Sequence, residues 1–128
     1  MQKRKKGKHM RIAITSKGPQ LTSEFDQHFG RTPYFVIIDS KTDEIVKSID
    51  NTENLRAVQG AGVESGKVMV EEDVALVLSG HVGPKALEVL QLGKISAYAV
   101  EAHDVKEALE HFHSNNVTPI YVAPKSGN

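Results

Sequence analysis

The 128-residue chain has no cysteine. With no thiol there is no disulfide scaffold, no thiolate zinc site, no iron–sulfur cluster held by protein sulfur and no cysteine nucleophile. Any metal must be held by His, carboxylate or backbone groups, or arrive with its own ligands. Nor is there a long apolar run: nothing approaches the roughly 18 residues of a membrane span. Ile12-Ala13-Ile14, which follows the basic start, falls far short of the about 7–15 residues of a signal-peptide core. The expected location is therefore cytoplasmic, with no membrane partner. Net charge is also missing, since 16 basic residues balance 16 acidic ones.

That balance hides an asymmetry. Residues 1–10 hold five basic residues and no acid, which leaves 11 basic against 16 acidic over residues 11–128, a net of −5. The body is acidic, so the chain is not expected to bind nucleic acid. His9-Met10 reads as the junction of an expression leader with a natural start, and residues 1–9 are set aside on that ground. The remainder, 10–128, has the length of one domain. Its 39% apolar and 25% charged residues are ordinary for a soluble globular protein and too apolar for a disordered one.

Arg11-Ile12-Ala13-Ile14-Thr15 meets the breakers Ser16-Lys17-Gly18-Pro19, which predicts a buried strand and then a loop to about Thr32. Tyr34–Asp39 and Glu44–Asp50 read as two strands of a hairpin. From Asn54 the spacing of Leu55, Val58, Gly62, Gly66 and Met69 is helical, with small residues for close packing on a sheet. Asp73–Ser79 is a continuous apolar strand of the kind buried on both faces. Pro84 opens a second helix that stops at Gly93, Ile95–Val100 is a fifth strand, and Asp104 caps a third helix that ends at Asn115-Asn116. Beyond it lie a short apolar piece, Ile120-Tyr121-Val122, and a polar tail. This order predicts a three-layer α/β/α domain with a mixed five-stranded sheet, order 3-2-1-4-5, of ribonuclease H-like topology. Ligands on such sheets sit beyond the carboxyl ends of the parallel strands, which draws together the loops after Thr15 and Ser79.

Those loops carry the candidate chemistry. His28, Gly30 and Arg31 offer an imidazole, a guanidinium and backbone amides to an anion. In Gly80-His81-Val82-Gly83-Pro84-Lys85 the glycines allow close backbone approach, a helix begins with unpaired amides, and His81 and Lys85 add donors. The same residues are also explained without a ligand, as a satisfied loop histidine above a core-filling Phe29 and a tight turn with an exposed His81. His111 and His113 suit a helix C-terminus, and Glu71-Glu72-Asp73 a solvated junction. No phosphate-binding Walker loop, nucleophile elbow or zincin motif is present, and the first strand lacks the acid of a two-metal nuclease. Three readings remain open: a binding protein, a hydrolase or transferase holding phosphate at Gly80–Lys85 with His28 or His81 as base, and a regulatory module without ligand.

His28-Phe29-Gly30-Arg31 followed by Pro33-Tyr34-Phe35, then Gly60-Ala61-Gly62, then Ser79–Ala86 together resemble the dinitrogenase iron–molybdenum cofactor biosynthesis family, whose small members include cofactor carriers and the orange proteins. The resemblance covers about residues 10–115 and departs from the usual pattern at Gln59, where many members have histidine, and at His81, where an aliphatic residue is common. It implies non-enzymatic, non-covalent carriage or assembly of an anionic molybdenum-containing metal–sulfide cluster, of Mo-Cu or Fe-Mo type, with a cluster-donor or cluster-acceptor protein as partner. The residues expected to bind it are Lys17, His28, Phe29, Arg31, Gly80, His81, Val82, Gly83 and Lys85.

Overall fold

The structure, a computed structural model, describes residues 10–57 and 59–124. The leader at 1–9, the tail at 125–128 and Val58 lie outside the described residues. In chain order the elements are β1 (Arg11–Ser16), β2 (Tyr34–Asp39), β3 (Ile45–Asp50), a 3-10 turn (Thr52–Arg56), α1 (Ala61–Glu71), β4 (Leu76–Ser79), α2 (Pro84–Leu92), β5 (Ser96–Ala99), α3 (Val105–His113) and β6 (Thr118–Tyr121). They form one sheet of order β3-β2-β1-β4-β5-β6. β1, β4 and β5 are parallel to one another, while β2, β3 and β6 run antiparallel to their neighbours.

The strands β2, β1 and β4 are buried on both faces, which is why they read as continuous apolar runs. Side chains alternate between two cores. Ala13, Phe35, Ile37 and Val77 meet Met69 of α1 and Ala86 and Leu90 of α2 on one face. Ile12, Ile14, Val36, Ile38, Leu76 and Leu78 meet Val105, Ala108 and Leu109 of α3 on the other. Each such buried side chain contributes roughly 1.5–3 kcal/mol, so a one-residue slip of any central strand, which exchanges the two faces, is strongly disfavoured.

Two expectations need correction. The sheet has six strands, because residues 118–121 add an antiparallel edge strand beside β5. Pro119 and the exposure of Thr118 mask it in the sequence, and an edge is where proline is tolerated. The first helix does not begin at Asn54: Thr52–Arg56 is a separate 3-10 turn, and Gly60, in the left-handed region at φ 84°, starts α1 afresh. The small residues of α1 serve helix-to-helix packing. A Cβ on Gly30 would lie 3.2 Å from Gly62 Cα, one on Gly62 would lie 3.0 Å from Ala86 Cβ, and one on Gly66 would lie 2.8 Å from Val89 Cγ1. Other local signals hold: Pro84 stands in the first turn of α2, and the Asp104 carboxylate accepts from Glu107 N–H at 2.8 Å to cap α3. Gly93 follows the last turn of α2 where a Cβ would lie 2.9 Å from Val70 Cγ2, while the left-handed position falls on Lys94.

Candidate functional site

β1 and β4 pair in parallel through Ile14 and Leu78, so Thr15 and Ser79 emerge together at the carboxyl edge. Both are fully buried, and their hydroxyl oxygens are 3.1 Å apart. The loop after β1 returns across them. Thr15 Oγ1 donates to the Asp26 carbonyl at 2.5 Å, the Asp26 N–H donates to the Thr15 carbonyl at 3.2 Å, and Ser79 Oγ lies 3.4 Å from the Gln27 carbonyl. Gly80 N–H then donates to Gln27 O, and Phe29 N–H to His81 O, each at 3.1 Å. These two bonds make a short parallel bridge with His28 directly opposite His81. The approach needs Gly80: a Cβ there would sit 2.9 Å from Gln27 Cβ and 3.0 Å from its carbonyl oxygen. Phe29 anchors the loop from below, completely buried with its ring 5.4 Å from that of Phe35.

At the centre of this arrangement is Asp26, only 6% exposed. A buried carboxylate is costly unless it is paired. One oxygen accepts from His28 N–H at 2.8 Å, the other from Lys17 Nζ at 3.3 Å, and His28 Nδ1 is 3.7 Å away. Sequence reasoning did not single Asp26 out. The signal was the Asp26-Gln27-His28 spacing, in which an aspartate side chain binds the amide two residues on and forms a turn of its own.

The structure brings Lys17, His28, Gly80 and His81 together. Arg31 turns elsewhere, its Nη1 donating to the Leu55 carbonyl of the 3-10 turn at 3.2 Å. Lys85 is exposed on the first turn of α2. Val82 is buried in the same core as Phe29, so both support the loops from within. Gly83 precedes α2 with open space where a Cβ would stand, and no side chain caps the helix. The start of α2 therefore carries no side-chain cap beside His81 and Lys85, at the end of the helix where its dipole favours an anion.

A cleft of about 590 Å³ opens next to this cluster, lined among others by Gln27, Gly80, Glu101, His111, Asn116 and Thr118. It lies one strand further along than expected. β4 feeds α2 on one face and β5 feeds α3 on the other, so the connections diverge between β4 and β5, where α/β sheets leave a crevice. Two polar groups that the sequence offered lie elsewhere: His113 Nε2 is 2.9 Å from Asp43 Oδ1, and Glu72 pairs with Arg11 at 3.5 Å and Lys47 at 3.2 Å. Among the described residues, no group of three or more His, Asp or Glu side chains converges to hold a metal ion. No helix among them is long and apolar enough to cross a membrane.

These features define a three-layer α/β/α domain whose candidate binding residues gather in two loops at one edge of the sheet. The family described as dinitrogenase iron-molybdenum cofactor matches residues 8–115, and the chain belongs to it. The apo orange protein of Desulfovibrio gigas is 33% identical, with a TM-score of 0.82 over 91% of this chain and 98% of that one. A NifB-like protein of the DUF35 family from Thermotoga is 26% identical, with a TM-score of 0.77 over 92% and 99%. A dinitrogenase candidate from Methanocaldococcus jannaschii, 17% identical, shares the fold with a TM-score of 0.61 over 91% and 98%. No curated protein matches the chain.

Proposed function

We propose that the chain is a cytoplasmic, non-enzymatic carrier of an anionic molybdenum-containing metal–sulfide cluster, of Mo-Cu or Fe-Mo type, on a domain of ribonuclease H-like topology. The observation that carries this reading is the bridge between His28 and His81, which joins the two cationic loops and sets them beside the uncapped start of α2. A sulfide-bridged cluster is a polyanion that already has its soft ligands, so the protein supplies positive charge and amide donors. Lys17 and Lys85 provide the charge and Arg31 extends it toward the 3-10 turn, His28 and His81 add imidazole donors, and Phe29 and Val82 hold the loops while Gly80 and Gly83 keep the backbone accessible. Absent thiols suit this task, because a thiolate would compete with the cluster's sulfides for metal and hinder release to a donor or acceptor protein. The body is acidic overall, so attraction is local and falls with salt.

Titration of the full chain with tetrathiomolybdate, followed by visible absorption, tests this. Saturable uptake that high salt reverses is expected. Lys17→Ala should weaken it about tenfold or more, as for loss of a charge-assisted contact, and Arg31→Ala should weaken it less, because its guanidinium is engaged with Leu55. Uptake that ignores both substitutions and salt would overturn the reading.

A further inference from the structure

The cleft between β5, α3 and β6 has a chemistry of its own, opposite in sign to that of the cationic loops beside it. Its volume of about 590 Å³ is that of a small-molecule site. Glu101 stands just past the end of β5, β6 begins at Thr118 opposite Ala99, and the end of α3 brings His111, Asn115 and Asn116 to the same space. Among the described residues, the side chains of Gln27, Glu101, Asn115 and Thr118 make no hydrogen bond or ion pair. Asn116 Nδ2 lies 3.3 Å from His111 Nδ1, so its NH₂ group is engaged and its Oδ1 is left to accept. The cleft therefore offers a carboxylate, amide oxygens and a hydroxyl. No Lys or Arg is among the lining residues, and the helix dipole of α3 is negative at this end. No aromatic ring is among them either, so the cage that holds a quaternary ammonium is missing. What matches is a cation that donates N–H bonds in several directions. A guanidinium does so from a planar fork, which a carboxylate meets with both oxygens.

We propose that this cleft binds a small organic molecule bearing a guanidinium group, with Glu101 as its bidentate acceptor and Asn116 Oδ1, the Gln27 and Asn115 amides and the Thr118 hydroxyl as further acceptors. Glu101 supplies the charge, and the neutral acceptors select for a group with N–H bonds to spare. The inference does not rest on the carrier reading: it concerns a cation held by hydrogen bonds on the β5 side, whereas the carrier holds an anion on the β1 side.

The test is titration of the full chain with agmatine, a guanidinium on a short aliphatic amine, followed by calorimetry and by amide chemical shifts. One saturable equivalent is expected, with the largest shifts at Glu101, at residues 115–118 and in the side-chain amides of Gln27 and Asn116. Glu101→Gln should weaken binding tenfold or more, as for loss of a charge-assisted pair, and Thr118→Val should weaken it several-fold. Glu110→Gln, elsewhere on α3, should change nothing. Glu101 is exposed and has no partner to lose, so its variant should keep the amide spectrum of the core. Putrescine, which carries ammonium ends without the planar fork, should bind at least tenfold more weakly than agmatine. Equal affinity for the two would reject the guanidinium, and equal agmatine affinity in wild type and Glu101→Gln would overturn the site. Shifts that spread over the acidic surface without saturating would overturn it as well. Glu101→Gln should retain saturable, salt-reversible uptake of tetrathiomolybdate, so the cleft and the carrier reading can each fail alone.

Discussion

The two edges of the central sheet handle charge in opposite ways. Where β1 and β4 begin, charges answer one another: Glu72 meets both Arg11 and Lys47, and Arg11 Nη1 also donates to the Glu72 carbonyl at 3.1 Å. Where the same strands end, Lys17 and His28 share one buried carboxylate, and His81 and Lys85 stand exposed beside helix amides that no side chain caps. One edge is closed by ion pairs, and the other leaves Lys85 and two imidazoles accessible to solvent. The difference supports the proposed site: a body with excess acid nevertheless gathers basic side chains at the edge where the long loop after β1 lies.

The largest expected effect comes from removing the foundation of the open edge. Phe29→Ala deletes a fully buried ring that packs on Phe35, and should cost about 3–5 kcal/mol in urea unfolding. If the open edge were an unsupported flap, the loss would fall well below that range. The closed edge should yield much less. Glu72→Gln breaks pairs whose side chains are 37% and 49% exposed on the basic side and so are screened by solvent; a loss of about 0.5–1 kcal/mol is expected, with tetrathiomolybdate uptake unchanged. Any change in uptake would break the contrast between the edges. The smallest effect concerns Asp50, at the end of β3. Hydrogen bonds from the Thr52 hydroxyl, at 2.5 Å, and the Thr52 N–H, at 2.9 Å, hold its carboxyl below the ordinary aspartate value. A depressed folded-state value stabilises the fold above the ordinary value, and this contribution is lost as pH falls through the depressed one. Thr52→Val should move the Asp50 carboxyl titration upward in an NMR pH series, and an unmoved titration would assign the shift to another cause.

Much of the fold was legible because its signals are local. The apolar runs of β1, β2 and β4, Pro84 at the start of α2 and the Asp104 cap each follow from a few neighbouring residues. β6 was missed because an edge strand buries little: Thr118 and Pro119 are exposed, and only pairing with β5 defines them as strand. The start of α1 was misread because Leu55 keeps helical spacing with the later stripe while belonging to a separate turn. At the site, the two loops and most of their cationic residues were visible as residue types. That these loops meet was legible too, from the carboxyl ends of the parallel strands, but the pairing of His28 with His81 was not, since a bridge between them exists only after β1 and β4 have paired. Asp26 was hidden for the same reason. An acid in a polar loop gives no local sign of burial until the loop folds back over Thr15 and Ser79.

The stack of Gly30 on Gly62 and of Gly62 on Ala86 has a bearing on which sequences this edge tolerates. Three segments distant along the chain, namely the first loop, the start of α1 and the first turn of α2, share one narrow column of space. Volume in that column is a common resource: a methyl group added at Gly30 displaces α1, and the displacement is handed on to the helix that carries Lys85. Substitutions there are thus coupled in size, and the spacing between the two cationic loops is a quantity the chain sets by the width of its smallest side chains.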